Sequence, residues 1–201
     1  MKFIPIALVV LLFSCNSADK KNEASALSAQ QLKDSVRACI LDDDAVINKQ
    51  TAVQYVVVDS FYTVKLKVNG MDSTLAYQFN CSTPPSLIPV LSLSSDSAIC
   101  LQNMSAQDHK TFLIAYPDNN KLAIKNYEIA LTTQLNNSIV IYQDEKSSDI
   151  VKENFRTEKK QHYSLPDQYH LPVKITKANI LTSSNQLRLE FSNDKKLTIK
   201  L

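Results

Sequence analysis

A mostly β, antiparallel domain of the sandwich type with one N-terminal helix is the fold class that this 201-residue sequence predicts. Three observations lead there. From Ala52 onward, β-branched and aromatic residues recur in short runs with a period of two, the repeat of a strand with one dry and one wet face. Clusters of Asn, Asp, Ser and Pro separate these runs, as turns separate the strands of an antiparallel sandwich. Only Ser28 to Ile40 follows a 3.6-residue period instead, with Leu32, Val36, Cys39 and Ile40 on one face. A sandwich is expected rather than a closed barrel, because small barrels use glycine at their kinks and this chain has one glycine.

The chain opens with Lys2 and an unbroken apolar run, Phe3 to Phe13, ending in Leu12-Phe13-Ser14-Cys15. Eleven residues are too few for a helix that spans a bilayer, which needs about 20, and suit the apolar core of a secretory signal. This segment resembles the signal peptide of bacterial lipoproteins, whose lipobox places Leu three residues before an obligatory Cys and a small residue directly before it. Leu12, Ser14 and Cys15 match, while Phe13 is bulkier than the usual residue. The resemblance implies that residues 1–14 are removed and that Cys15 carries the acyl chains as the first mature residue. It implies nothing about the domain that follows. Asn16 rather than Asp after the Cys leans, by the same resemblance, toward the outer membrane. The polar stretch Asn16 to Ala26 then reads as a tether, so residues 15–27 form the lipidated segment and 28–201 a single β-rich domain.

The domain begins with Ser28-Ala29-Gln30-Gln31, the form of a capping box, and its helix is expected to stop before Asp42-Asp43-Asp44, whose charges oppose the dipole at a helix C-terminus. Val53 to Val58 and Tyr62 to Val68 are expected strands, continued by Leu75, Tyr77 and Phe79. Asn69-Gly70 between them calls for a type I′ hairpin, which needs positive φ at both central residues. After Pro84, Pro85 and Pro89 come Ala98 to Gln102, Thr111 to Tyr116, Lys121 to Lys125, Tyr127 to Gln134 and Ser138 to Tyr142, with a bulge or turn near Asn126 where the apolar phase shifts. Asn119-Asn120 and Asn136-Asn137 take the turning role usually given to glycine. Ser147 to His170 reads as an irregular insertion with a short helix near 148–160. Val173 to Leu181, Leu187 to Phe191 and Leu197 to Leu201 close the chain as strands. No internal repeat is visible.

Composition excludes several chemistries. One glycine cannot build a Walker A loop, a dinucleotide fingerprint or a G-x-S-x-G elbow. His109, His162 and His170 sit in no metal-ligand spacing and no C-x-x-C is present, so no metal and no cofactor are expected. Without residues 1–14 the chain has 21 Lys+Arg against 20 Asp+Glu, a balance of +1 that gives nucleic acid no field to follow. Beyond Cys15 three cysteines remain. Cys39 falls on the apolar helix face as a small hydrophobe, which makes Cys81 and Cys100 the preferred disulfide pair, with three free thiols as the alternative.

These readings describe a protein held at the bacterial envelope membrane by lipid on Cys15, whose domain binds or scaffolds an envelope partner rather than catalyses. Tyr163, Tyr169 and His170, beside an edge strand Leu197 to Leu201 guarded by Lys196 and Lys200, are the expected contact surface. A lipocalin-like carrier of a small apolar ligand is the second reading and a hydrolase with dispersed residues the third.

Overall fold

The computed structural model of the chain describes residues 28–40, 44–105, 109–170 and 173–201. The lipobox with Cys15, the tether, and Asp42 and Asp43 lie outside the described residues. Among the described residues the single α-helix, α1 (Ala29–Ala38), starts as its sequence requires: the Ser28 hydroxyl accepts from the Gln31 amide at 3.2 Å and the Gln31 side chain accepts from the Ser28 amide at 2.9 Å. Both reciprocal bonds satisfy backbone donors that the first turn leaves open. Val36 is the helix residue that enters the core.

Among the described residues fifteen strands follow, in four antiparallel sheets that are each a run of sequence-consecutive strands. The first sheet holds β1 (Ala45–Asn48), β2 (Thr51–Val58), β3 (Phe61–Val68) and β4 (Met71–Thr74). The second holds β5 (Val90–Ser95), β6 (Ala98–Met104), β7 (Lys110–Asp118) and β8 (Lys121–Tyr127). β9 (Ala130–Gln134), β10 (Ile139–Gln143), β11 (Ile150–Asn154) and β12 (Lys160–Tyr163) make the third. The last has three strands, β13 (Ile175–Leu181), β14 (Gln186–Phe191) and β15 (Lys196–Lys200). The domain is therefore β-rich and sandwich-like with no closed barrel, as its composition predicts.

The sheets are layered through three cores. Tyr62, Val64, Leu66 and Val68 of β3 meet Ile99, Leu101, Leu113 and Ala115 of the second sheet. The opposite face of the second sheet, with Cys100, Phe112, Ile114 and Tyr116, meets Val140 and Phe155 of the third. Ile141 and Ile150 on the far face of the third meet Leu187, Leu189 and Phe191 of the fourth. The two inner sheets thus bury both faces, and β7 reads as an unbroken buried run from Thr111 to Tyr116 rather than as an alternation. Architecture repeats here although sequence does not, because burial on both sides asks only for apolar residues of suitable size.

Turns are made largely without glycine. Asn69 (φ 49°) and Gly70 (φ 78°) form the expected hairpin turn, and Asp59, Asn119, Asn120, Asn185 and Asp194 also take positive φ. At the predicted Asn136-Asn137 turn it is Ser138 that adopts the left-handed conformation, at the end of a 3-10 turn over Leu135–Asn137. The turn expected near Asn126 falls slightly later, between β8 and β9, with Ile129 at φ 49°.

Three expectations are corrected. The helix near 148–160 is instead β11, the turn after it, and the start of β12. Ile150 and Val151 are adjacent and both fully buried, which a strand between two other sheets allows and a surface helix does not. β1 and β5 were not foreseen; β1 has four residues, and β5 is largely exposed and serine-rich. Leu75, Tyr77 and Phe79 do not extend β4, and only Phe79 pairs, as an isolated bridge to Tyr62.

Candidate binding cleft

The seam between the second and third sheets carries a cleft of about 400 Å³. Antiparallel register puts Lys125 opposite Ile114 and Tyr127 opposite Phe112, so both side chains face the third sheet. On that sheet Val140 pairs with Glu153, and Glu153 with Lys160, which turns the carboxylate and the ammonium back toward the second. Four strands, β8, β10, β11 and β12, thereby converge on one buried anion.

Glu153 is 4% exposed and fully partnered. Its Oε1 accepts from the Tyr127 hydroxyl at 3.0 Å and lies 3.6 Å from Lys125 Nζ; its Oε2 accepts from the Tyr142 hydroxyl at 3.1 Å and lies 3.4 Å from Lys160 Nζ. Lys125 also donates to Glu158 at 2.8 Å. A carboxylate this far from water needs such partners, since an unpaired buried charge costs several kcal/mol, of order 3–5. The Tyr127 and Tyr142 rings pack against each other with centroids 5.3 Å apart, which fixes both hydroxyls.

Burial, reinforced by the negative Glu153 beside it, pushes the Tyr127 phenol upward, and burial raises Tyr142 as well. Both rings stay protonated donors. For Lys125 burial acts downward, but the bond to Glu158 and the neighbouring carboxylates outweigh it and hold the ammonium above its ordinary value. The hydrogen bond with Tyr142 and the charge of Glu153 do the same for Lys160. The lining therefore offers no amine nucleophile near neutral pH, and it includes no Ser, Cys or His. What it offers is charge: Lys125 and Lys160 stand against Glu128, Asp144, Glu145, Glu153 and Glu158. Asp144 is kept low mainly by accepting the Ser147 amide, at 2.8 Å, and so stays anionic into acid.

Next to the cleft Arg156 fastens the two sheets. Its guanidinium donates to the carbonyls of Ser97 at 2.7 Å and Pro117 at 3.1 Å and to the Ser138 hydroxyl at 3.1 Å, over the Tyr116 ring. Fixed forks of this kind suit arginine, whose five donors are planar.

The expected contact residues are not brought together as a surface. Tyr169 is buried, with its ring 4.5 Å from that of Phe191, because it closes the core under the last sheet. Tyr163 is half-buried on the same core, and His170 turns its Nε2 to the Leu165 carbonyl at 2.6 Å. β15 is an edge of its sheet as anticipated, and Lys196 pairs with Glu190 at 3.8 Å. The disulfide joins Cys39 to Cys81, so the Cys81–Cys100 pairing is corrected. Cys100 points into the core between the second and third sheets, remote in the layering from the helix that Cys81 meets. Among the described residues no group of three or more His, Cys, Asp and Glu side chains is arranged to hold a metal, and no helix is long and apolar enough to cross a membrane.

The cleft itself was not foreseen. Its signal was Glu153 within the run Ile150-Val151-Lys152-Glu153, visible only once that run is read as a strand. No protein-family model matches this chain, and no curated protein matches it.

Proposed function

We propose that the protein is a binding module of the bacterial cell envelope, held at the outer membrane by lipid on Cys15, and that it engages an envelope partner through the Glu153 cleft. The observation that carries this reading is the cleft: five carboxylates against two lysines, braced by two paired tyrosines, on a rigid seam of two sheets. Such a lining favours a cationic group on the partner, since complementary charge steers encounter and sets orientation. Raised Tyr and Lys groups support binding over proton or group transfer.

A carrier of small apolar ligands is supported less. A cavity beside Tyr77, Phe79, Leu87 and Leu113 has about 220 Å³, below the roughly 300–1,000 Å³ of small-molecule sites, and one of about 310 Å³ beside Ile139 is lined otherwise by lysines, Asn154 and Gln161. The layers otherwise close on one another through filled cores.

Site-specific photo-crosslinking tests the reading. A photoreactive residue at Glu145, exposed in the lining of the cleft, should capture an envelope protein in intact cells, and one at Thr198 on the last sheet should not. Capture at Thr198 alone, or release of a co-purified apolar molecule with no crosslink at either place, would move the function elsewhere.

A further inference from the structure

The two ends of the stack differ. On the fourth sheet the register aligns Asn179 with Arg188 and Thr198, and Lys177 with Glu190 and Lys196, so its outer face is polar and charged. A stack of repeated units needs such a face at each end to remain in water. The first sheet does not follow the rule. Its inward residues are Val53, Tyr55, Val64 and Leu66, and the outward set includes Val46, Val56, Val58 and Phe61, of which Val46 is 73% and Val58 46% exposed. Val58 lies directly opposite Phe61 and Val56 falls one row on, so these three side chains form one apolar strip, which the row of Gln54 and Lys65 separates from Val46.

Charges of both signs surround that strip: Asp59 lies in the turn between Val58 and Phe61, and Asp34 and Asp44 share the groove of α1 with Lys33 and Arg37. Lys67 stands opposite Ala52, two rows along the same face, and Lys65 lies between them, paired with Asp72 at 3.7 Å. Lys33 of α1 shares a shallow groove with Val56, and Arg37 beside it donates to the Tyr55 carbonyl at 3.0 Å. The helix that receives the chain from Cys15 therefore packs against β2 and β3 of this sheet. Twelve residues separate Cys15 from Ser28, a reach of at most about 45 Å when extended.

From the apolar strip, Lys33 and Lys67 near it and the place where the chain enters the fold, we infer that the outer face of the first sheet seats on the lipid headgroup surface, with Val58 and Phe61 entering the interface. The inference rests on the lipid attachment at Cys15 proposed above. Apolar side chains flanked by lysines suit that boundary, since the rings and branched chains leave water while the ammonium groups meet lipid phosphates. Seated this way, the stack rises from the membrane, with the second and third sheets and the Glu153 cleft between them set above the surface.

The test uses the full chain, produced with its lipid and reconstituted in vesicles of phosphatidylethanolamine and phosphatidylglycerol that carry a spin-labelled lipid. A fluorophore on Val58→Cys or Phe61→Cys should be quenched at least about threefold more than one on Thr198→Cys, because an interfacial residue lies within roughly 5–10 Å of the acyl boundary. The native disulfide and buried Cys100 leave the introduced thiol as the one labelled. Palmitate incorporation is measured on the same preparations. If palmitate is incorporated and position 58 is quenched no more than position 198, the seating is wrong and the anchoring stands. If no palmitate is incorporated, the anchoring fails and the seating with it. Crosslinking of position 58 to a protein or to a second copy, with no quenching, would also overturn the lipid surface as occupant.

Discussion

Breaking the Cys39–Cys81 bond should lower the stability of the domain by about 4 kcal/mol. The bond spans 42 residues of sequence and encloses β1 to β4, starting at the residue that caps α1. Closing a loop of that length removes roughly 13 cal/mol/K from the unfolded chain, or about 4 kcal/mol at 25 °C, if constraint of the unfolded state is the main effect. A domain of ordinary stability has about 5–15 kcal/mol in total, so the loss is a large fraction. At about 2–4 °C per kcal/mol for a chain of this size, the midpoint of thermal unfolding should fall by roughly 10 °C. The double variant Cys39→Ser/Cys81→Ser is the right perturbation, because reductant would also act on any adventitious pairing of Cys100. Circular dichroism at a β-sheet wavelength follows the transition, with urea unfolding as a second measure whose slope should rise slightly as the unfolded state expands. A midpoint shift under about 3 °C would refute the entropic account. Peptide mapping of the native protein that found Cys81 joined to Cys100 would refute the pairing itself.

Other outcomes follow from the same geometry. Burial pushes the Cys100 thiol up to about 12, the charge of Lys110 pulling only weakly against it, so alkylation at pH 8 should leave Cys100 unmodified until urea unfolds the domain; rapid labelling of the folded protein would contradict its placement. Glu153→Gln should destabilise the domain by roughly 1–3 kcal/mol, since it replaces the charged acceptor of the Tyr127 and Tyr142 hydroxyls while Lys125 keeps Glu158 and Lys160 keeps water, and an unchanged urea midpoint would show the network to be unimportant. Lys125 and Lys160 are raised in the folded state, so their contribution is complete below the ordinary lysine value near 10.4 and is lost as pH climbs through the folded values. Raised Tyr127 and Tyr142 act in the same direction, because ionising them costs more when folded; stability should therefore fall from about pH 10 upward, and a flat urea midpoint between pH 9 and 11 would contradict this. Gly70→Ala meets no atom within 4 Å but must take φ +78°, so a loss of about 1–2 kcal/mol by urea unfolding is expected from backbone strain alone.

Local chemistry was legible in the residues themselves. Ser28 and Gln31 specify the start of α1, since each satisfies a backbone donor of the other within one turn. Asn69-Gly70 specifies the β3–β4 hairpin, and Asn or Asp at 119, 120, 185 and 194 marks turns, because few other residues accept positive φ. Alternation in β3 reveals one wet and one dry face, as expected for a sheet at the end of a stack.

Position across layers was not legible, and it decided the rest. In β7 and β11 both faces are buried, so the period that distinguishes strand from helix disappears, and Ile150-Val151 by itself suits a helix as well as a strand. Tyr169 looked like part of a surface because its neighbours in sequence are polar, and only the fourth sheet, through Phe191, closes over it. Cys39 met Cys81 rather than leaving it to Cys100 because the layering sends Cys100 to the opposite side of the second sheet. The candidate cleft draws Lys125, Tyr127, Tyr142, Glu153 and Lys160 from four strands, with no spacing that links them. Capping and turn preferences act within a few residues and are written in them, whereas the burial that makes Glu153 need two tyrosines and two lysines exists only once the second and third sheets are pressed together.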